Sequence, residues 1–187
     1  MRIIAGKHRG LALADVGEGD RDAHLRPTTD RVREAIFNLI ANGPYGEPIT
    51  GARVLDLFAG TGALGLEALS RGAARVAFVD DGAAARALMR RNIEKMRAMG
   101  VTDVWRRDAT RLGSNRGPGY DLVFLDPPYG KGLGEKALAS ALEGHWLATG
   151  ALIVWEEGSA PVPPEGMVLL DQRRYGDTIV TILRAPE

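Results

Sequence analysis

Short apolar runs and longer amphipathic segments alternate along the chain from residue 53 onward. The first four apolar runs predict β-strands, at 53–58, 75–80, 103–107 and 120–125. Segments with helical spacing of apolar residues lie between or after these runs and predict helices, at 64–70, 83–99 and 135–143. A chain that alternates strands with helices typically forms a parallel sheet covered by helices on both faces.

Three more apolar runs towards the end of the chain predict three further strands, at 151–155, 168–175 and 178–184. The last two runs are separated only by Gly176-Asp177, a tight turn of the kind that joins antiparallel neighbours. We therefore predict an α/β fold with a Rossmann-like sheet of seven mostly parallel strands, in which the last strand is antiparallel.

The first 50 residues follow a different pattern. Two short apolar runs, 3–5 and 11–13, flank residues 6–10, which predicts a hairpin with a basic tip. A helix should begin at Thr29 or Asp30 as the capping residue and end at Asn42-Gly43-Pro44. We expect residues 1–50 to form an appendage on a domain that spans 51–187.

Composition narrows the function classes mainly by exclusion. The 187 residues are 45% hydrophobic and 26% charged, which is typical of a folded domain rather than a disordered chain. There is no cysteine, the three histidines are scattered and no run of about 18 apolar residues occurs, so we expect no metal site and no membrane span. The 24 basic and 24 acidic side chains balance, which argues against indiscriminate polyanion binding. We expect a metal-free, cytoplasmic monomer.

A glycine-rich segment follows the first predicted strand. Gly60, Gly62 and Gly65 satisfy the G-x-G-x-x-G pattern of dinucleotide-binding proteins, so an NAD-dependent oxidoreductase is one interpretation. Asp56 argues against it, because a carboxylate is poorly placed beside a pyrophosphate, which binds backbone N–H groups at a helix N-terminus. A carboxylate suits S-adenosylmethionine instead, since this ligand carries an ammonium group and a sulfonium but no phosphate.

Carboxylates also follow the second and third predicted strands. Asp80 can accept hydrogen bonds from both hydroxyls of a ribose in the crevice beside the glycine loop. We expect Asp81 to cap the next helix, which would leave Asp80 free to bind. Asp108-Ala109 can accept the amino group of an adenine.

The fourth predicted strand leads into Asp126-Pro127-Pro128-Tyr129. Two consecutive prolines fix the backbone, so the Asp126 carboxylate and the Pro127 carbonyl have set directions. An exocyclic base nitrogen is a poor nucleophile because its lone pair is delocalised into the ring. Two acceptors that hold its N–H bonds would favour a tetrahedral nitrogen aligned for in-line methyl transfer, and Tyr129 offers a face on which the base can stack.

Together these motifs resemble the Rossmann-like, class I, S-adenosylmethionine-dependent N-methyltransferases that carry an Asn/Asp-Pro-Pro-Tyr/Phe motif. Segments 2–10 and 26–38 are similar to the RsmD family, bacterial enzymes that methylate the N2 amine of one guanine in 16S ribosomal RNA of the small subunit. The resemblance spans the whole chain. Tyr129 stands where the family commonly has Phe, and the acidic stretch 15–24 is unlike a segment that contacts RNA.

The resemblance implies a role for each group of residues. The methionine part of S-adenosylmethionine would be lined by Asp56, Phe58, Gly60, Thr61 and Gly62, its ribose by Asp80 and its adenine by Asp108 and Ala109. The guanine would be held by the catalytic residues Asp126, Pro127 and Tyr129, next to Pro128. Ribosomal RNA, in the small subunit or an assembly intermediate, would contact Arg2, Lys7, Arg9 and Arg26, and segment 26–29 would close over the cofactor.

Three alternatives remain at this point. An adenine-N6 nucleic-acid methyltransferase can also carry Asp-Pro-Pro-Tyr, although 187 residues leave little room for its target-recognition insertion. An NAD-dependent oxidoreductase leaves that motif unexplained. A non-catalytic RNA-binding or assembly protein would not need the complete cofactor and base motifs.

Overall fold

A computed structural model describes residues 1–14 and 28–187. Four α-helices lie in these residues: α1 (Asp30–Asn42), α2 (Ala63–Ser70), α3 (Ala83–Lys95) and α4 (Leu133–Glu143). Seven strands form one sheet: β1 (Arg53–Leu57), β2 (Arg75–Val79), β3 (Thr102–Trp105), β4 (Tyr120–Leu125), β5 (Leu147–Glu157), β6 (Val168–Tyr175) and β7 (Thr178–Arg184). None of the described helices is long and apolar enough to cross a membrane.

The sheet has the strand order β3-β2-β1-β4-β5-β7-β6. Strands β1 to β5 pair in parallel, and β7 lies antiparallel between β5 and β6. This confirms the predicted sheet with its reversed last strand. The chain builds outward from β1 to β3 and then returns to the other side of β1 with β4, so the strand order reverses between β1 and β4. In open α/β sheets, ligands bind at this reversal, outside the carboxyl ends of the strands.

Two hydrophobic cores lie on opposite faces of the sheet, because neighbouring residues of a strand point to opposite faces. One core contains Phe78 and Phe124 together with residues of α1, α2, α3 and the N-terminal hairpin. The other contains Trp146 and Trp155 together with residues of α4. The N-terminal elements thus share a core with one face of the sheet.

Several boundaries differ from those that the sequence predicts. Helix α3 ends at Lys95 rather than 99, because Arg97 has a positive φ of 53° and the Ala98 N–H turns back to the Ile93 carbonyl. Strand β5 runs from 147 to 157 rather than from 151 to 155. Its last two residues are glutamates, which the apolar pattern excluded although both are buried.

The predicted hairpin is present and packs against α2. The Ile3 N–H bonds the Leu11 carbonyl, and the Gly10 N–H returns to the Ile3 carbonyl. At the tip, the Lys7 N–H bonds the Ser70 carbonyl at 2.7 Å. Gly6 has a φ of 83°, and a Cβ there would lie 1.8 Å from the Ser70 oxygen, so only glycine permits this approach.

A buried carboxylate joins the hairpin to the helices. Glu67 of α2 accepts the backbone N–H groups of Ile4 and Ala5 at 2.9 and 3.1 Å, and the Arg71 Nε at 2.9 Å. Arg33 of α1 is fully buried with its Nε 3.7 Å from Glu67, and its guanidinium also donates to the Arg2 carbonyl. One acidic side chain of α2 therefore joins the hairpin and α1 to this helix.

We expect Glu67→Ala to lower the free energy of unfolding by about 3–5 kcal/mol, the usual result when a buried ion pair loses one partner. Arg33 and the two hairpin N–H groups would remain buried without this acceptor. Urea unfolding measures the change, with Glu34→Ala on the exposed face of α1 as control. Asp30 of α1 also contacts the Arg33 guanidinium, at 3.0 Å. A loss below about 1 kcal/mol, the size of an average substitution, would show that Asp30 alone balances Arg33.

Candidate active site

The register of the parallel strands brings several polar residues to one edge of the sheet. Leu57 of β1 lies opposite Val79 of β2 and opposite Leu125 of β4. Leu125 in turn lies opposite Trp155 of β5. The next residues of these four strands or their turns lie side by side at this edge, at the strand-order reversal. In the order of the sheet they are Asp80, Phe58, Asp126 and Glu156, three of which are acidic.

The turn between β1 and α2 has an unusual backbone. Phe58, Gly60 and Gly62 have positive φ values of 55°, 58° and 80°. Such a conformation costs a residue with a side chain about 1–2 kcal/mol, so Phe58 is strained. Strain of this kind concentrates at ligand-binding turns. Gly65 lies so close to the next strand that a Cβ would sit 2.5 Å from the Phe78 ring, which fixes α2 tightly against β2.

Asp56 is almost completely buried beneath this turn. One of its carboxylate oxygens accepts the Gly65 N–H at 3.0 Å and so caps the first turn of α2, whose N-cap residue, Gly62, offers no side chain. Burial raises the pKa of Asp56 well above its usual value, and the negative charges of Asp126 and Asp80 raise it further.

Asp80 bonds the turn after β1 and the turn after β2, which lie on either side of the crevice. One carboxylate oxygen accepts the Gly60 N–H at 2.9 Å, and the other accepts the Gly82 N–H at 2.8 Å. The expectation that Asp81 caps α3 is wrong, because the N-cap residue is Gly82 and no side chain bonds the helix there. Each oxygen of Asp80 retains a second lone pair, so a ribose can still be bound.

The remaining residues predicted for the cofactor occupy the turns around this crevice. Thr61 is buried, and its carbonyl accepts the side-chain amide of Asn92 on α3 at 3.0 Å. Asp108 is exposed and accepts the N–H and the hydroxyl of Thr110 at 2.8 and 2.7 Å, which lowers the pKa of Asp108. Ala109 is buried next to it.

The Asp-Pro-Pro-Tyr segment follows β4 directly. Asp126 is partly buried and accepts the Thr28 hydroxyl at 3.1 Å. Burial, together with the charge of Glu157, raises the pKa of Asp126 to about 7 despite this hydrogen bond. Pro127 is buried and Pro128 is half-buried, so the two rings hold the segment against the protein.

Tyr129 is held at both ends. Its hydroxyl lies 3.1 Å from the Thr178 hydroxyl at the start of β7, and burial raises the pKa of Tyr129 to about 12. Its ring packs against Gly158, where a Cβ would come within 3.1 Å of the ring. The side chain of Glu157 accepts the Gly130 and Gly158 N–H groups at 3.0 and 2.9 Å, which fixes the loops on both sides of Tyr129.

Glu156 was not predicted from the sequence, and Thr28 was expected only as part of the segment 26–29 that would close over the cofactor, not as a partner of Asp126. Glu156 is 2% exposed, and its Oε1 lies 3.3 Å from the Thr28 hydroxyl that also bonds Asp126. Burial and the charge of Asp126 raise the pKa of Glu156 well above its usual value. Two glutamates directly after the apolar run at 151–155 were the available signal, since a buried strand seldom ends in two acidic residues without a purpose.

The described residues that were predicted to contact RNA lie away from the crevice. Arg2, Lys7 and Arg9 are exposed on the hairpin that packs against the C-terminal end of α2, whereas the glycine turn lies at the N-terminal end of that helix. Arg26 and stretch 15–24 lie outside the described residues. Within 1–14 and 28–187, no group of three or more potential ligands is arranged to hold a metal ion.

Comparison with known proteins finds relatives along almost the whole chain. A family model described as conserved hypothetical protein 95 matches residues 1–184. Ribosomal RNA small subunit methyltransferase D of Escherichia coli (strain K12) is 38% identical over 179 residues, 94% of this chain and 85% of the relative. YlbH of Bacillus subtilis (strain 168), described as a candidate rRNA methyltransferase, is 38% identical over 191 residues and 98% of both chains.

The fold is shared with solved structures. That of yhhF of Escherichia coli, described as a candidate methyltransferase, matches this chain with a TM-score of 0.83 at 35% sequence identity. The match covers 100% of this chain and 98% of that one. The sheet is therefore that of the Rossmann-like class I methyltransferases, as the sequence predicts.

We expect the Asp126 carboxyl to titrate near neutral pH, because burial raises its pKa to about 7. Carbon-13 NMR of the carboxyl carbons of aspartate measures this, and Asp126→Asn identifies the resonance. Asp108, whose pKa is lowered by Thr110, should titrate far below it in the same spectra. A midpoint for Asp126 close to the value of about 4 for a free aspartate would show that its carboxylate is well solvated.

Proposed function

The chain belongs to the family described as conserved hypothetical protein 95, the RsmD family, and from this membership we propose that it methylates the N2 amine of a guanine in 16S ribosomal RNA. The methyl donor would be S-adenosylmethionine. The observation that carries the proposal is the position of Asp126, a partly buried carboxylate at the strand-order reversal, followed by two prolines and an anchored tyrosine.

The charge of the crevice supports a cationic methyl donor. Asp56, Asp80, Asp126 and Glu156 lie at or near the carboxyl ends of four neighbouring strands, and burial, together with neighbouring acidic groups, raises the pKa values of Asp56 and Glu156. A ligand that carries an ammonium and a sulfonium would relieve this repulsion. A pyrophosphate would increase it, which disfavours a dinucleotide.

Each part of the donor has residues of suitable chemistry. Asp56 would face the ammonium group and Asp80 would accept the ribose hydroxyls. The strained turn, with Phe58, Gly60, Thr61 and Gly62, would line the methionine part, and Asp108 and Ala109 would lie beside the adenine. When bound, the donor supplies an electrophilic methyl group on a sulfonium that keeps the electron pair of the bond that breaks.

The chain's own residues then act on the guanine. The Asp126 carboxylate and the Pro127 carbonyl would accept the two N–H bonds of the N2 amine, which directs its lone pair towards the methyl carbon. Tyr129 would stack on the base, and its hydroxyl bond to Thr178 keeps the ring in place. The amine loses one proton as it gains the methyl group, and Asp126 is the nearest base in this arrangement.

Mass spectrometry of 16S ribosomal RNA from a strain that lacks this chain tests the proposal. We expect one N2-methylguanosine to disappear and to return with the wild-type chain. Asp126→Asn should restore methylation on the order of 100-fold more slowly, because an amide is a weaker acceptor and can turn its own N–H towards the guanine. Loss of an N6-methyladenosine instead would identify the adenine-specific alternative, and an unchanged RNA would refute the proposal.

Asp80 provides a test of the donor site. Asp80→Ala should weaken binding of S-adenosylmethionine by roughly 1.5–3 kcal/mol, the usual worth of hydrogen bonds to a charged group. Titration calorimetry measures this, and Asp81→Ala, which removes an exposed neighbouring carboxylate, is the matched control. Equal affinity in both variants would remove Asp80 from the donor site.

We also propose that Arg26 and the basic residues of the hairpin contact the RNA. Variants of the hairpin test this. Replacement of Arg2, Lys7 and Arg9 by Ala should weaken binding to small-subunit RNA and flatten its dependence on salt, because phosphate contacts release counterions. Affinity for S-adenosylmethionine should stay unchanged, since the hairpin lies at the far end of α2. A wild-type salt dependence would show that the basic tip serves only the fold.

A further inference from the structure

The Thr28 hydroxyl lies between two carboxyl groups. Its oxygen is 3.1 Å from Asp126 Oδ2 and 3.3 Å from Glu156 Oε1. A hydroxyl has one hydrogen to donate and can accept two hydrogen bonds. It therefore cannot donate to both groups at once, and two ionised carboxylates on one hydroxyl would leave one contact without a proton. One of the two carboxyl groups must hold a proton for both contacts to be hydrogen bonds.

We propose that Glu156 is the protonated member and acts as a positioning residue: it donates to Thr28, whose hydroxyl donates to Asp126 and keeps that carboxylate ionised and aimed at the substrate amine. The role in catalysis rests on the proposed function. The chain of hydrogen bonds is a property of the free protein and can be measured without a substrate.

Burial explains why Glu156 rather than Asp126 keeps the proton. Glu156 is 2% exposed near the end of a central strand, whereas Asp126 is only partly buried. Removal from water disfavours a charged carboxyl, so the more buried group is the one that stays neutral. Burial and the charge of Asp126 raise the pKa of Glu156 well above its usual value, whereas the pKa of Asp126 rises to about 7; the Thr28 hydroxyl lowers both.

The charges that face this pair also favour a neutral Glu156. Asp56 faces it from β1, Asp126 and Tyr129 from the turn after β4, and Glu157 follows it on β5. Asp80 on β2 adds to the field at Asp56. Asp126 and Asp56 raise the pKa of Glu156, whereas Tyr129, with a pKa of about 12, is neutral and adds no charge.

The proposal defines the protonation states of Glu156 and Asp126 during the reaction and at low and high pH. In the reactive state Glu156 is protonated and Asp126 is ionised. The amine forms its bond to the methyl carbon and releases one proton, which Asp126 accepts. At acidic pH, Asp126 is already protonated and cannot accept from the amine. At alkaline pH, Glu156 ionises, and the Thr28 hydroxyl can then turn its hydrogen away from Asp126.

Single-turnover methylation of small subunits across pH tests this assignment. Glu156→Gln is close in shape, permanently neutral and able to donate an amide N–H to Thr28. We expect it to stay within about threefold of the wild-type rate at neutral pH, to keep the acidic limb set by Asp126 and to lose the alkaline limb. A wild-type alkaline limb, or a collapse of the rate at neutral pH, would overturn the proposal.

Two variants of Thr28 distinguish the effect of its hydroxyl hydrogen bonds from the effect of its packing. Thr28→Val keeps the shape without the hydroxyl and should slow the reaction about 10-fold or more, because Asp126 loses the hydrogen bond that orients it. Thr28→Ser should restore most of the rate. Thr50→Val is the matched control, because Thr50 makes the same kind of contact, 3.3 Å from Glu47, on the surface. A wild-type rate for Thr28→Val would overturn the proposal.

Carbon-13 NMR of glutamate carboxyl carbons in the free protein separates this inference from the proposed function. The Glu156 resonance, identified by its absence in Glu156→Gln, should titrate at higher pH than the Asp126 resonance and move to lower pH in Asp126→Asn. Titration near a free glutamate's value, about 4.3, would overturn the inference even if the protein methylates RNA. A high midpoint in a protein that transfers no methyl group would refute the function and leave the proton assignment standing.

Discussion

The parallel pairing of β1 with β4 determines most of what this protein can do. These strands are separated by more than sixty residues, and their register sets Leu57 opposite Leu125. Because side chains alternate along a strand, a shift by one residue would turn Asp56 away from the crevice and move Asp126 off the edge. The cofactor turn and the Asp-Pro-Pro-Tyr segment thus meet because two buried apolar runs pair in one register.

That register also brings acidic side chains together where little water reaches them. These side chains differ in their hydrogen-bond partners. Asp56, Asp80 and Glu157 accept backbone N–H groups, and the donors are glycines of α2 and of the adjoining turns. Such bonds offset burial and fix the turns. Asp126 and Glu156 bond a side-chain hydroxyl instead, which can rotate and exchange a proton. The first group builds the crevice, and the second is suited to chemistry that moves a proton.

Much of this could be predicted from the sequence, because the information is local. Each apolar run identifies its own strand, and the glycine turn and Asp126 directly follow such runs. The Thr28–Glu156 contact could not be predicted, since it joins residues 128 positions apart through α1 and β5. Asp81 was misassigned for a related reason: its neighbour Asp80 reaches the Gly82 N–H, and only the folded turn shows which carboxylate is closer.

The position of Thr28 follows from the packing of α1, which connects the N-terminal part to the sheet. Thr29 caps α1 through the Val32 N–H, so the preceding residue leaves the helix in a defined direction. Phe37 of α1 packs against Phe124 of β4, with ring centroids 5.5 Å apart, only two residues before Asp126. The buried Arg33 ties the same helix to the hairpin. The hairpin with its basic tip therefore packs as one unit with α1 and with Thr28, whose hydroxyl contacts Asp126. A displacement of this unit would change the surroundings of the Asp126 carboxylate.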